Sequence, residues 1–219
     1  GDGSDTVDYS GRNSSIEVTL AEGATVSVAG SDEDILYGIE NITGSTVNDT
    51  IIGDSNSNIL KGNSGNDTIT GGDGADILEG GLDDDTFIQN DSTHIVGDSI
   101  DGGDGVDTLD YSSVGAGVTL KLNTTTYETV TVSTETHIIK NIENVIGSTG
   151  NDTIEGDTGN NILDGLSGTN DTISFENAEN GISANIGLTD KVGITAQTST
   201  GYGTDTITNF DDVIGSEYD

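Results

Sequence analysis

Residues 44 to 88 divide without remainder into five blocks of nine: GSTVNDTII, GDSNSNILK, GNSGNDTIT, GGDGADILE and GGLDDDTFI. Each block opens on glycine (Gly44, Gly53, Gly62, Gly71, Gly80) and places Asp or Asn sixth (Asp49, Asn58, Asp67, Asp76, Asp85). A large apolar residue stands eighth (Ile51, Leu60, Ile69, Leu78, Phe87). One apolar residue per block is too sparse for the stripe of an amphipathic helix, and it lacks the alternation of a hairpin. The period instead predicts a coil of very short strands. Glycine supplies the left-handed backbone of tight loops, and the residues around the eighth place form a strand whose middle side chain points inward.

Stacking such coils creates an electrostatic problem. Coils repeat at about 4.8 Å, and ionised carboxylates in a column at that spacing repel by roughly 3 kcal/mol per neighbouring pair at an effective dielectric near 20. The chain carries a formal net charge of −35 and only five Lys and Arg among 219 residues, so the counter-charge has to come from outside. Oxygen-only ligands select a hard cation such as calcium. There is no Cys, which removes disulfides and thiolate metal sites and leaves ions as the staple. With a hydrophobic fraction of 30%, a thin core of Ile, Leu and Val has to offset both chain entropy and self-repulsion. The calcium-free chain is therefore expected to be largely unfolded.

Block 71–79 matches the pattern GGxGxDxUx throughout, and that pattern resembles the RTX (repeats-in-toxin) family of secreted calcium-binding proteins. The resemblance implies an all-β fold, a parallel β-roll or β-solenoid in which two nonapeptides complete one coil and calcium sits between neighbouring loops. Carried onto this sequence, it places Asp49, Asp67 and Asp85 on one edge and Asn58 and Asp76 on the other, with loop carbonyls completing each shell. Asn58 is neutral, and Asn56 stands fourth where glycine is usual, so a weaker or absent site is expected beside it.

The remaining chain repeats these phrases. The opening GDGSDTVDYS returns as GGDGVDTLDYSS at 102–113, setting Asp5 beside Asp107 and Val7 beside Leu109. Each copy leads into a Val/Thr-rich segment (16–20, 117–122) and then into β-favouring stretches (24–29, 128–139), read as longer strands in wider, irregular β coils between the regular arrays. Re-entry phrases follow at 38–51, 141–154 and 209–219, carrying Glu40, Glu143 and Asp211 as candidate ligands of the first ion in each stack. A second regular array begins at 147, with Asp152 and Asp171 as ligands and Asn161 marking another weaker or absent site. Asp98 and Asp205 belong to degenerate blocks at 93–101 and 200–208. Three modules result: 1–101 with its regular roll at 44–88, 102–164, and a partial third at 165–219. Their junctions are expected to continue the solenoid, since no Pro/Ser-rich gap separates them. The truncated first block and the new block at the end read as cuts through a longer polypeptide.

Catalytic chemistry finds few supports. Parallel β-helices that act on polysaccharides need carboxylates beside Arg, Lys, His or Tyr, whereas Arg12 is the one arginine, and His94 and His137 have no nucleophile motif near them. There is no GxSxG, P-loop or HExxH motif. The DDD run at 83–85 lacks the EF-hand ligand order. Tyr9 and Tyr111 share a module position and read as structural. The acid excess disfavours nucleic acid, and no apolar run is long enough for membrane insertion.

The function expected is therefore a non-catalytic, calcium-binding spacer of a large bacterial RTX protein. The resemblance is to the adhesin type, extracellular or at the cell surface, folding on Ca2+ after type I secretion. Its expected partners beyond calcium are a cell surface, a polysaccharide or further copies of itself. Two alternatives stand beside this reading: a folding and export module of a secreted RTX enzyme, and a calcium-dependent filament or coat subunit.

Overall fold

The computed structural model describes residues 3–21, 23–90, 97–123, 125–177, 182–183, 194–198 and 203–216. Among them the chain winds into two facing sheets, of 11 and 12 strands, and contains no helix. Within the regular arrays consecutive strands alternate between the sheets. Thr50–Ile52, Thr68–Thr70 and Thr86–Ile88 lie side by side in the second sheet, and Asn41–Thr43, Ile59–Ser64 and Ile77–Leu82 in the first. Pairing is parallel, with Ile51 opposite Ile69 and Leu60 opposite Leu78. Partners 18 residues apart mean that two nonapeptides complete each coil. Leu78 pairs with Ile100 and Phe87 with Leu109, 22 residues apart rather than 18, so four extra residues between Phe87 and Ile100 leave the ladder in register.

The eighth residue of each block fills the interior. Ile42, Ile51, Leu60, Ile69, Leu78, Phe87, Ile100 and Leu109 are fully buried, and the column continues through Val145, Ile154, Leu163, Ile173 and Ile207. Each core residue packs between the coil before and the coil after. The structure is a one-dimensional stack in which every interface depends on its neighbours.

Between the arrays the chain reverses, and here the wider coils take a particular form. Val118–Lys121, Glu128–Val132 and Glu135–Lys140 make an antiparallel meander, with Val118 opposite Val132 and Val130 opposite His137. It is spliced into the first sheet. Its last strand pairs in parallel with Ser99–Asp104 of the preceding array, and its first with Thr153–Glu155 of the following one. Ile16–Thr19, Ala24–Val28 and Ser31–Leu36 make the equivalent meander at one end of the second sheet. A third copy follows Asp171: Ile182–Ser183 and Ile194–Thr198 pair antiparallel, as do Ile194–Thr198 and Thr204–Thr208. Strand composition announces such segments, but strand direction depends on which edge each strand meets, and that is a tertiary property.

Tyr9, Tyr111 and Phe175 occupy the same place at the head of the three meanders, and all are buried. Tyr111 Oη lies 2.5 Å from His137 Nε2, and His137 is also buried. These aromatic groups are packing elements, as the reading of the tyrosines anticipates. His94 lies outside the described residues.

Candidate metal centre

The sixth residue of each block ends the loop just before a strand, so stacking the coils stacks these acids at the two edges of the roll. They are joined by a repeated hydrogen bond from the backbone N–H of one acid to the carboxylate of the next coil. Along the edge that leads into the second sheet, Asp49 donates to Asp67 Oδ1 at 2.7 Å, Asp67 to Asp85 Oδ1 at 2.8 Å and Asp85 to Asp107 Oδ1 at 2.8 Å. Asp107 then donates to Glu143 Oε2 at 2.8 Å, and beyond Asn161 the edge reaches Asp205.

On the opposite edge Asp5 donates to Glu40 Oε2, and beyond Asn58 the line passes through Asp76 to Asp98. The central meander interrupts that edge. It resumes with Asp152 and Asp171, the latter donating to Asp211 Oδ2 at 3.1 Å. All thirteen acids singled out in the sequence therefore fall into these columns, and the acids of the re-entry phrases stand where a new coil begins.

Only one oxygen of each carboxylate is used in this ladder. Oδ2 of Asp67, Asp76, Asp85, Asp107 and Asp205 is buried and has no hydrogen-bond partner among the described residues. Those of Asp67, Asp76, Asp85 and Asp107 lie against the first glycine of their block. A Cβ built on Gly62 or Gly80 would collide with the Oδ2 of Asp67 or Asp85, and would also lie 2.7 Å from Gly80 O or 2.5 Å from Gly102 O. The corner is thus a cradle of hard oxygen donors that only glycine leaves open, which fits a calcium ion.

Burial makes unneutralised charge there unfavourable. It pushes the carboxyl pKa of Asp67 up to about 8, of Asp98 and Asp107 to about 7, and of Asp76, Asp85 and Asp205 to about 6. Neighbouring acids add to the push, as Asp49 and Asp85 do on Asp67. Glu143 is raised by burial too, with Asp157 contributing.

The family model of the RTX calcium-binding nonapeptide repeat matches residues 52–87 and 141–173, in four copies. The chain carries RTX repeats. Repeats of this family bind Ca2+, several ions to a domain, and are typical of secreted bacterial proteins. A search of curated proteins returns no match.

Not every RTX corner in this chain is alike, and the residue in second place separates two kinds. Asn63, Gly72, Gly81 and Gly103 have positive φ, between 86° and 123°. These are the second residues in the blocks of Asp67, Asp76, Asp85 and Asp107, the acids with a bare Oδ2. Ser45, Asp54, Ser148 and Asp157 are absent from the left-handed positions. There the second residue's own N–H turns back onto the sixth side chain: Ser45 to Asp49 Oδ2 at 2.5 Å, Asp54 to Asn58 Oδ1 at 2.9 Å, Ser148 to Asp152 Oδ2 at 2.8 Å and Asp157 to Asn161 Oδ1 at 3.0 Å.

The serine hydroxyls add a second bond, to Oδ1 of Asp49 and of Asp152. Asp49 and Asp152 are thereby closed by their own loops. The sequence signal was available, Gly or Asn against Ser or Asp in second place, but its meaning depends on a backbone dihedral.

Among the described residues, the few cations of the roll pair with acids outside these corners. Lys61 pairs with Glu79 at 2.6 Å and Lys140 with Asp101 at 3.5 Å, in one outward-facing rank of the first sheet. Lys121 reaches Glu155, and Arg12 reaches Asp34. Among the described residues no three acidic or histidine side chains form a metal-holding group by themselves. An ion held in these corners would draw one or two carboxylates and would complete its shell from backbone carbonyls and water.

Proposed function

We propose that this chain is a calcium-stiffened structural rod within a large secreted or cell-surface RTX protein of the adhesin type, without catalytic activity, that folds when it meets calcium outside the cell. The observation that carries this reading is the row of bare Oδ2 atoms on Asp67, Asp76, Asp85, Asp107 and Asp205. Each has a glycine or carbonyl cradle or a like-charged neighbour, and no lysine or arginine pairs with any of them among the described residues. These five acids form the proposed core of the ligand set. Asp98 and the junction acids Glu40 and Glu143 extend it, and Asp5 and Asp171 stand at its ends. Asp49 and Asp152 act as loop closers. The modules 1–101, 102–164 and 165–219 are proposed as successive lengths of one roll rather than as hinged domains.

Calcium would supply the positive charge that lets stacked carboxylates stay ionised. The chain's own residues set the spacing, exclude water with the inward column and hold the carboxylates through the N–H ladder. Extracellular calcium modules bind with dissociation constants of about 10⁻⁴ to 10⁻³ M, and at 100 times that constant each site stabilises the folded state by about 2.7 kcal/mol. Several such sites make folding switch-like.

Far-UV circular dichroism tests this directly. A coil spectrum in EGTA and a β spectrum in millimolar calcium are expected, with a cooperative titration between them. An identical β spectrum in both would end the proposal.

A further inference from the structure

Two blocks of the chain carry Asn in sixth place, GDSNSN at 53–58 and GDTGNN at 156–161, and both carry Asp in second place. The acid missing from the sixth position has reappeared four residues earlier. In each block the Asn side chain joins that Asp to the coil before it. Asn58 Nδ2 donates to Glu40 O at 2.8 Å and Asp54 Oδ1 at 3.3 Å, and Asn161 Nδ2 to Glu143 O at 2.8 Å and Asp157 Oδ1 at 3.1 Å. A carboxylate in sixth place could not donate either bond. The Asn therefore serves the junction, and the charge is carried by its partner.

The two corners then diverge at one residue. In the first, Asn56 stands fourth. Its N–H meets Asp54 Oδ1 at 2.8 Å and its amide meets Asp54 Oδ2 at 2.9 Å, so both oxygens are satisfied. In the second, the fourth residue is Gly159, whose N–H meets Asp157 Oδ1 at 2.7 Å but which has no side chain to reach the other oxygen. Asp157 is only 7% exposed, and its Oδ2 is buried without a hydrogen-bond partner among the described residues. Asp205 is fully buried, its Oδ2 is equally bare, and its Oδ1 accepts from the backbone N–H of the same Asn161 at 3.1 Å. The ion pairs among the described residues involve other acids. Two shielded carboxylates gathered on one neutral residue, Asp157 on its side-chain amide and Asp205 on its backbone N–H, demand a positive charge or a proton.

We propose that Asp157 and Asp205 hold a divalent cation at the Asn161 corner, a site of its own in which the second-place acid replaces the sixth-place one, and that the Asn58 corner holds none because Asn56 has closed it. The two carboxylates supply the charged donors, and carbonyls and water complete the shell of a hard ion such as Ca2+. The inference rests on the reading that the roll as a whole binds calcium, and it reverses the sequence-based expectation of a weaker or absent site beside Asn161.

The test counts ions on the whole chain by equilibrium dialysis with radioactive calcium at saturation, alongside its circular dichroism. Asp157→Asn keeps the shape of the side chain and replaces the bare oxygen with an amide. Gly159→Asn transplants the closing residue of the other corner into a position whose φ is not left-handed. Each variant is expected to bind one ion fewer than wild type while keeping its β spectrum, and Asp54→Asn to bind the same number as wild type. If Asp157→Asn fails to fold, Gly159→Asn decides the matter. An unchanged count in Gly159→Asn, or a lost ion in Asp54→Asn, overturns the proposal. Wild type that binds no calcium at all would instead bring down the calcium reading, and this site with it.

Discussion

Ser45 and Gly81 occupy the same place in their blocks and do opposite things to the acid four residues on. The serine N–H and hydroxyl fold back onto the Asp49 carboxylate, whereas Gly81, at φ 123°, turns its peptide away and leaves Asp85 Oδ2 bare. Hydrogen bonds to a charged acceptor contribute about 1.5–3 kcal/mol, so Asp49 is held without an ion and Asp85 is not. The two acids should therefore answer differently to the same change. Asp85→Asn is expected to remove one bound calcium and move the midpoint of the calcium titration to higher concentration, with a loss of about 2.7 kcal/mol when calcium is at 100 times the dissociation constant. Asp49→Asn is expected to keep the ion count and lower thermal stability in calcium. Dialysis counts and melting curves on the pair check this; equal ion loss in both would show that the second residue does not sort the corners.

At the scale of the element, the meanders carry a different kind of dependence. The array strands are pinned by register, whereas the central meander also carries a buried side-chain pair, Tyr111 at its head against His137 in its last strand. Nδ1 of His137 has no hydrogen-bond partner among the described residues, and Nε2 has the tyrosine hydroxyl. Removing that hydroxyl leaves a buried polar ring without this bond, which costs about 1–3 kcal/mol. Tyr111→Phe should lower the unfolding free energy in calcium by that amount and leave the number of bound ions unchanged, read by denaturant titration and dialysis. A neutral result would mean that the pair contributes only its area. The Phe175 of the third copy shows that an aromatic ring without the hydroxyl fits an equivalent head position.

This element also marks the boundary of what the residues reveal unaided. The eighth-place column from Ile51 to Leu109 and the sixth-place acids are legible because each follows from a fixed period, and a period survives into three dimensions. The antiparallel course of 128–132 is not legible, because Val- and Thr-rich strands pair equally well in either direction. The similarity of DTISFENAENGIS at 171–183 to DTLDYSSVGAGVT at 107–119 is faint until the strands it feeds are seen to occupy the same topological place. Corner occupancy falls between these cases: the deciding residues are visible, and the dihedral they select is not.

For the molecule as a whole, protons and calcium are rival answers to one problem. The carboxyls of Asp67, Asp76, Asp85, Asp98, Asp107 and Asp205 are raised by burial from 3.8 to between about 6 and about 8. A group whose pKa is higher in the folded chain than in the unfolded one contributes stability that is complete below the unfolded value and is lost as pH rises through the folded value. Without calcium the roll is therefore least stable at pH 8 and gains as the pH falls through the window from about 8 to about 4. His137 works the other way. Burial lowers its pKa from 6.5 to about 4, so its contribution is present above 6.5 and declines as pH falls toward 4. Six acids outweigh one imidazole, and self-repulsion from the net charge of −35 also falls as acids protonate. In EGTA, lowering the pH from 8 to about 5 should thus restore part of the β signal that calcium restores at pH 8. With calcium present the sign of the coupling changes, because protons now compete for the same oxygens, and the calcium midpoint should rise as the pH falls. Circular dichroism titrations at several pH values measure both limbs. A chain that stays coiled in EGTA down to pH 5 would show that neutralising the columns is not enough, and that the geometry of a bound ion, rather than its charge, closes the coils.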